Sequence, residues 1–297
     1  MPPSARPTPE SVLRRLEWRV IRRLDGRLQG DYRTLLRGSG LDFADLRDYE
    51  AGDDVRQIDW NVTARTDTVH VRTYLEDREL TAWLLLDRSP SMGFGPVERP
   101  KELVLTELAT TLARLLTRGG NRVGAILYDN RTERTIAPRS GRNQVLRLTD
   151  DLLRPAEPAG TSTDLSGLFR SALHTIRRRS LVVVVSDFLS EPGWERPLAM
   201  LEQRHELVAI ALSDPREHEL PDAGLIVVED AETGELLSVD TSDPEFRRRF
   251  AVVAEQRKAD LRDATRRAGV GLHTISTDED LVGALVRIVQ QRRLRRR

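Results

Sequence analysis

Apolar and polar residues follow several different periods along the 297-residue chain, and each period predicts an element. Largely apolar runs at 80–86, 181–185 and 207–212 end abruptly at polar residues. Runs of this length are typical of strands that are buried on both faces of a parallel sheet. Segments with apolar residues at helical spacing lie between these runs. Strands that alternate with helices in this way indicate a parallel sheet covered by helices on both faces.

The same patterns place the remaining elements. They predict helices at 9–30, 101–117, 143–153, 164–179, 197–203, 244–268 and 280–291. They predict further strands at 69–74, 122–128, 132–137, 225–228, 235–239 and 270–275. Three hairpins follow, which join 69–74 to 80–86, 122–128 to 132–137, and 225–228 to 235–239.

Composition narrows the class of protein. A hydrophobic fraction of 39% is enough to build a sizeable core. The 47 basic residues balance the 47 acidic ones, and a net charge of zero argues against a surface tuned throughout to nucleic acid. We therefore expect no specific nucleic-acid partner. Cysteine is absent, which excludes disulfides, thiolate catalysis and cysteine-ligated zinc.

Neither end of the sequence predicts a membrane anchor. Residues 1–6 lack the apolar core of a signal peptide, and no segment approaches the roughly 18 uninterrupted apolar residues of a membrane span. We expect a cytoplasmic protein without a transmembrane segment. The basic helix at 9–30 either docks on its own domain, lies on a membrane surface or binds a partner. The arginine run at 292–297 is either a solvated tail or a contact for nucleic acid or anionic lipid, so peripheral membrane contact stays open.

Candidate chemistry begins where the first buried strand ends. The apolar run is followed by Asp87, and Ser89 and Ser91 come at alternate positions after it. This loop lies at the carboxyl end of its strand, where open α/β sheets gather their ligands. One carboxylate and two hydroxyls form an oxygen-only ligand set, which suits Mg²⁺ better than zinc or copper. Mn²⁺ and Ca²⁺ are the alternative ions.

Two later loops bring further oxygens to the same edge if the parallel arrangement holds. Thr163 precedes the helix that leads to the valine-rich strand, and Asp187 follows that strand. The spacing also allows Thr161 in place of Thr163. Most of these ligands are neutral hydroxyls, so a bound ion would keep much of its charge and would favour an Asp or Glu carboxylate of a partner protein. Binding of this kind requires no chemical turnover, and we do not expect an enzyme.

This set of residues resembles a known metal site. In their order and on their strand–helix framework, Asp87-x-Ser89-x-Ser91, Thr163 and Asp187 resemble the metal-ion-dependent adhesion site (MIDAS) of von Willebrand factor A domains. The resemblance implies an A-type domain fold in which these five residues hold the metal.

The segment before the first core strand resembles the signature of the bacterial domain-of-unknown-function 58 family. The matching motifs are Gly40-Leu41-Asp42-Phe43, Leu46-Arg47-Asp48-Tyr49, Gly52-Asp53-Asp54-x-Arg56-x-Ile58-Asp59-Trp60 and Ala64-Arg65. Together with the A-type region the resemblance covers roughly residues 30–213. The family is often found beside MoxR-type AAA+ ATPases, with roles in assembling or chaperoning other proteins. The resemblance therefore implies such an ATPase as a partner. Many relatives carry N-terminal membrane helices, which this sequence does not show.

The fold class that we expect is α/β. It has a Rossmann-like, von Willebrand factor A-type central parallel sheet with one antiparallel edge strand and helices on both faces. We divide the chain into an N-terminal helix and signature segment (1–79), an A-like domain (80–213) and a C-terminal hairpin with helices (214–297). We expect the last part to pack on the same sheet.

The motif from Gly52 to Trp60 allows two interpretations. Its charged residues either form a salt-bridge network that clamps the segment to the sheet, or they make a partner-binding or second cation site. We expect Trp60 in the core.

Two other functions compete with metal-dependent protein binding. One is a phosphoester hydrolase that uses Asp87 as its nucleophile. Phosphatases of the haloacid-dehalogenase type, however, place a second aspartate two residues later, where this chain has Ser89. The sequence also shows no Gly-x-Ser-x-Gly elbow and no Walker-A loop. The other is a scaffold with a vestigial metal site.

Overall fold

The computed structural model describes residues 7–28, 45–50, 55, 58–66, 68–73, 80–95, 99–156, 163–231 and 233–295. Contacts divide the chain into two units. The smaller is Arg37–Glu79, and the larger comprises Met1–Leu36 and Leu80–Arg297. The domain boundaries that we placed at 79/80 and 213/214 stay a prediction.

The elements are named in chain order. The α-helices are α1 (Pro9–Leu16), α2 (Arg22–Leu28), α3 (Trp60–Thr66), α4 (Lys101–Arg118), α5 (Arg142–Leu152), α6 (Leu165–Thr175), α7 (Glu195–Arg204), α8 (Pro244–Arg267) and α9 (Leu281–Arg295). The strands are β1 (Asp45–Asp48), β2 (His70–Thr73), β3 (Thr81–Asp87), β4 (Arg122–Asp129), β5 (Arg131–Arg139), β6 (Leu181–Ser186), β7 (Glu206–Ser213), β8 (Leu225–Glu229), β9 (Leu236–Asp240) and β10 (Gly271–Ser276).

The smaller unit corrects two predictions. Strand β2 pairs antiparallel with β1, so the predicted hairpin between 69–74 and 80–86 is wrong. The side chain of Asp59 accepts a hydrogen bond from the Val62 N–H at 3.3 Å and so caps the start of α3. Trp60, which we expected in the core, is 68% exposed on the first turn of that helix. Residues 51–54 and 56–57 lie outside the described residues, and the clamp proposed for this motif stays a prediction.

The larger unit is organised by a six-stranded sheet with the order β10-β7-β6-β3-β4-β5. The first five strands are parallel to one another, and β5 pairs antiparallel with β4 at one edge. Every residue of β6 is buried, as its apolar, β-branched sequence predicts for a central strand. The predicted fold class, with its single antiparallel edge strand, is confirmed.

Helices cover both faces of this sheet because side chains alternate along each strand. Leu84 and Leu86 of β3 face one apolar cluster, to which α1, α2, α4, α5 and α9 contribute. Trp83 and Leu85 of the same strand face the other cluster, to which α6, α7 and α8 contribute. Strand β10 and the two helices next to it place the C-terminal region on the same sheet.

The N-terminal helical segment packs on the larger unit. A π-helical turn, Glu17–Ile21, joins α1 to α2. Leu16, Val20 and Leu24 are all buried although they are spaced by four residues, which would drift around a regular helix. The wider π turn compensates for this drift and keeps the apolar stripe on the core. Of the three interpretations of this basic helix, the structure shows the docked one.

The end of α6 and the β8–β9 hairpin complete the description of the larger unit. Helix α6 was predicted to reach residue 179 but ends at Thr175, because Ile176 is extended and leads into β6. The β8–β9 hairpin forms as predicted, and Leu225, Val227 and Leu236 on it are more than 60% exposed.

Within the described ranges, no helix combines the length and the apolar character that a bilayer crossing needs.

Candidate metal centre

The predicted metal-binding residues lie where the strand order of the sheet reverses. The chain leaves β3 towards β4 on one side, and β6 lies on the other side of β3. Leu86 is in parallel register with Val185, so Asp87 and Ser186 end neighbouring strands at the same level. The carboxyl edge at such a switch point is where open α/β sheets bind ligands.

Asp87 is fully buried and held by two hydrogen bonds. Its Oδ1 accepts from the Ser89 N–H at 2.9 Å, and its Oδ2 accepts from the Ser186 hydroxyl at 2.5 Å. Ser186 is fixed in turn, because its Oγ accepts from the Phe188 N–H at 2.8 Å. The carboxylate therefore has a fixed position within the edge of the sheet.

The two serines of the motif converge beside this carboxylate. They flank Pro90 at the start of a short 3₁₀ turn, Pro90–Gly93, and both are buried. Their Oγ atoms lie 3.1 Å apart. The structure thus brings Asp87, Ser89 and Ser91 together as the sequence predicts.

Thr163 is buried at the same edge, between two neighbouring loops. Its carbonyl oxygen accepts from the Glu191 N–H at 2.9 Å, which ties it to the loop after β6. The next residue, Asp164, donates its N–H to Asn130 Oδ1 after β4 and caps α6 by accepting from the Ser166 N–H at 2.8 Å. Thr161, the alternative ligand, lies outside the described residues.

Asp187 follows Ser186 and is bound to a buried ammonium group. Its Oδ1 accepts from the Leu189 N–H at 3.0 Å, and its Oδ2 accepts from Lys101 Nζ at 2.6 Å. The Lys101 side chain is 0% exposed and donates also to Glu217 Oε1 at 2.5 Å. Burial opposes the charge of this lysine, but the carboxylates of Asp187 and Glu217 outweigh that effect and raise its pKa.

The electrostatics of the site favour an added cation next to Asp87. Burial, and then the nearby charge of Asp187, raise the pKa of Asp87 to about 7, although hydrogen bonds from Ser186 and Ser89 lower it. A cation beside this carboxylate would offset both the burial and the repulsion.

The chemistry of the donors fits a hard divalent ion. Among the described residues no three His, Cys, Asp or Glu side chains cluster as a metal site, so hydroxyls would have to complete the ligand set. Asp87, Ser89, Ser91 and Thr163 supply one carboxylate and three hydroxyls at a buried edge. Because Asp187 already binds Lys101, it fits the role of an outer partner that reaches a metal through water.

Two residues with a strained backbone lie at this edge. Asn130 and Phe188 are the non-glycine residues with positive φ among those described, at 50° and 58°. Each is held in place by hydrogen bonds to the site loops, through Asn130 Oδ1 and the Phe188 N–H. Strain of this kind persists where the surrounding structure fixes it and is typical of functional edges.

Sequence reasoning missed three residues of the site. Ser186 orients Asp87, and Lys101 and Glu217 form the ion cluster with Asp187. Lys101 did leave a signal, because it lies four and seven residues before Leu105 and Leu108 and so falls on the buried stripe of α4. A lysine on such a stripe requires a carboxylate partner in the interior.

The sheet order and its helical layers define an α/β domain of the fold class predicted from the sequence. The chain belongs to the family described as Protein of unknown function DUF58, whose sequence profile matches residues 45–260. Its relatives include uncharacterized proteins of Mycobacterium bovis and Mycobacterium tuberculosis. Each is 39% identical over 284 residues, which is 95% of this chain and 89% of the relative.

Two solved structures are among those to which the chain is similar. BatB from Bacteroides thetaiotaomicron is 15% identical, with 71% of this chain and 96% of that chain covered and a TM-score of 0.45. The vWF domain of the type V pili tip protein Mfa5 from Porphyromonas gingivalis is 13% identical. The alignment with this domain covers 71% of this chain and 86% of that chain, with a TM-score of 0.32.

Proposed function

We propose that this protein is a metal-dependent protein-binding module. Asp87, Ser89, Ser91, Thr163 and Asp187 would hold Mg²⁺, or Mn²⁺ or Ca²⁺ in its place, as a MIDAS-like site that captures an Asp or Glu of a partner protein. The observation that carries the proposal is the buried Asp87 carboxylate, fixed by Ser89 and Ser186 beside two converging hydroxyls.

Each part of the site has a role in this function. A bound divalent ion would supply a positive charge for an incoming carboxylate. Asp87 provides the negative charge that attracts the ion, and Ser186 holds that carboxylate in place. Asp187 shares its charge with Lys101, so the ion would keep part of its own charge for the partner. The serine and threonine hydroxyls add ligands without adding charge.

The proposal extends to the partner and its setting. The proposed partner is a MoxR-type AAA+ ATPase, as the resemblance noted in the sequence implies, and the proposed role is to assemble or chaperone other proteins. A cytoplasmic location is part of the same proposal.

Calorimetry and a pull-down test the function together. Wild type and Asp87→Ala are titrated with Mg²⁺, Mn²⁺ and Ca²⁺, and a candidate partner is captured with and without EDTA. The matched control is Asp150→Ala, which removes a surface aspartate of α5 that pairs with Arg154. We expect ion binding and capture by wild type and by the control, and loss of both in Asp87→Ala. Capture that persists in EDTA and in Asp87→Ala would overturn the proposal.

A scaffold with a vestigial metal site is the second candidate, and one observation favours it. The buried ammonium of Lys101 already supplies a positive charge to Asp187, with Nζ and Oδ2 2.6 Å apart. Under this alternative wild type releases no heat with millimolar Mg²⁺ or Mn²⁺, whereas the metal-dependent module does. The hydrolase alternative is tested by assaying generic phosphoesters with Asp87→Asn as the control.

A further inference from the structure

A cavity lies at the amino edge of the sheet, opposite the candidate metal centre. It occupies about 390 Å³ where α6 and α7 end and β6 and β7 begin. The residues that line it are Leu173, Ile176, Arg177, Arg179, Arg204 and His205. Strand β6 separates the two edges by six residues, which is roughly 20 Å at about 3.3 Å per residue. The two sites therefore have no residue in common.

The lining of this cavity carries charge of one sign. Every ionisable residue in it is a base, namely Arg177, Arg179, Arg204 and His205. The three arginines are exposed: Arg177 and Arg179 follow α6, and Arg204 is the last residue of α7. Helix C-termini carry a partial negative charge that attracts basic side chains, so arginines at these helix ends are not sufficient evidence of a site.

His205 provides evidence for a binding site that does not depend on the arginines. It is 4% exposed, and both of its ring nitrogens are buried with no hydrogen-bond partner among the residues that the structure describes. Its backbone is fixed, because its N–H donates to the Leu201 carbonyl at 2.9 Å and so closes α7. Burial, and then the charges of Arg204 and Arg179, lower the pKa of the imidazole. The neutral ring keeps one N–H donor and one acceptor.

A buried imidazole without protein partners is costly in a folded chain, and an apolar side chain would fill the same space more favourably. An anionic ligand in the cavity would meet the ring N–H and the guanidinium groups together. Guanidinium groups present paired N–H donors that match the oxygens of a phosphate. Leu173 and Ile176 form an apolar wall beside these donors, where the uncharged part of an organic phosphate would lie.

We propose that this cavity binds a phosphate group, with Arg177, Arg179, Arg204 and His205 as its donors. The group belongs either to a soluble phosphate compound or to the headgroup of an anionic phospholipid. Both sources present the same oxygens to the arginines, and they differ only in whether the ligand is free or part of a bilayer.

The test compares one pair of arginines with a neighbour that is not in the cavity. Full-length wild type, Arg177→Gln/Arg204→Gln and Arg178→Gln are titrated calorimetrically with inorganic phosphate and pyrophosphate at constant ionic strength. Arg178 is an equally exposed arginine in the same turn but does not line the cavity, so it is the matched control. We expect the double variant to bind at least tenfold more weakly than wild type and the control to stay within twofold.

A second arm identifies the source of the phosphate. The same three proteins are sedimented with vesicles of phosphatidylcholine alone and of phosphatidylcholine with phosphatidylglycerol. Binding to soluble phosphates alone assigns the site to a soluble ligand, and sedimentation with anionic vesicles alone assigns it to a lipid headgroup. Binding in neither arm, or an equal loss in the double variant and in Arg178→Gln, would overturn the proposal.

His205→Phe gives a readout that does not depend on charge. The phenylalanine ring fills the space of the imidazole without buried polar atoms. In phosphate-free buffer we therefore expect the variant to have a higher melting temperature than wild type. The stabilisation that wild type gains from pyrophosphate should fall by at least half. An undiminished gain in His205→Phe would exclude the imidazole from the site.

Discussion

The Ser186 hydroxyl donates to Asp87 Oδ2 at 2.5 Å, and this bond joins the ends of the two strands at the centre of the sheet. Both residues are fully buried. The bond fixes a carboxylate whose pKa is raised to about 7 by burial and by the charge of Asp187. Ser186 is thus a positioning residue for the candidate metal centre, although no metal-site pattern in the sequence includes it.

Ser186→Ala tests this role. The variant leaves Asp87 buried with one hydrogen bond fewer, and a buried bond to a charged group contributes about 1.5–3 kcal/mol. We expect the free energy of unfolding in urea at neutral pH to fall by about that amount, with weaker Mg²⁺ binding by calorimetry. The control is Ser171→Ala, whose hydroxyl meets Thr132 at 2.9 Å near the surface, and which should change stability by less than about 0.5 kcal/mol. Equal effects of the two variants would contradict the role.

Lys101→Met tests the buried ion cluster. The variant keeps the length of the side chain but leaves Asp187 and Glu217 without the ammonium group that lies between them. Removing one partner of a buried ion pair costs about 3–5 kcal/mol, because the remaining charge stays in the interior. We expect a fall of that size in the free energy of unfolding without metal. Mg²⁺ should restore more stability to this variant than it adds to wild type.

A double variant separates the charge from the packing of Lys101. In Lys101→Met/Asp187→Asn a neutral amide replaces the more deeply buried carboxylate. The carboxylate that remains is that of Glu217, whose side chain is 21% accessible. The double variant should therefore recover much of the stability that Lys101→Met loses. If it is as unstable as the single variant, the loss comes from packing and not from an uncompensated charge.

The stability of the fold should depend on pH through His205, which lies at the amino edge of the sheet. Burial, Arg204 and Arg179 lower the pKa of this histidine in the fold relative to its ordinary value of 6.5. Arg177 lines the same cavity, whereas the adjoining Glu206 pairs with Arg292. The folded state thus favours the neutral ring. The stability that the fold gains from keeping this ring neutral is fully present above about pH 6.5 and is lost as the pH falls below that value. Urea unfolding at about pH 7.5 and about pH 5.5 should show a larger loss for wild type than for His205→Phe.

Gly167 marks a close contact between α6 and the sheet. A Cβ at this position would lie 2.0 Å from Tyr128 Oη, which is held by donating to the Asp164 carbonyl at 2.9 Å. Gly167→Ala should therefore destabilise the fold by about 1–3 kcal/mol, although alanine favours a helix. Tyr128→Phe removes the clashing oxygen, so the double variant should recover part of the loss. Additive losses measured by urea unfolding would rule out this contact as the cause.

The sheet and the closeness of Asp87, Ser89 and Ser91 were predictable from sequence for different reasons. Buried strands such as β6 leave a continuous apolar run, which is a local signal. The pairing of β2 was not predictable, because its partner is the polar stretch Asp45–Asp48, and a hairpin with the next apolar run was the simpler choice. Lys101 meets carboxylates 86 and 116 residues further along the chain, and no local pattern encodes such distant contacts. Asp87, Ser89 and Ser91 lie within five residues of one another, so the sequence shows directly that they are close.

The choice between Thr163 and Thr161 gives the last prediction. Thr163 is buried at the carboxyl edge, and its carbonyl is tied to the Glu191 N–H. Valine has the shape of threonine without the hydroxyl, so Thr163→Val should keep the fold and remove one metal ligand. We expect Mg²⁺ to bind on the order of tenfold more weakly by calorimetry, the size of effect typical when a metal site loses a supporting oxygen. Thr161→Val is the control and should bind like wild type. The reverse pattern would assign the ligand to Thr161.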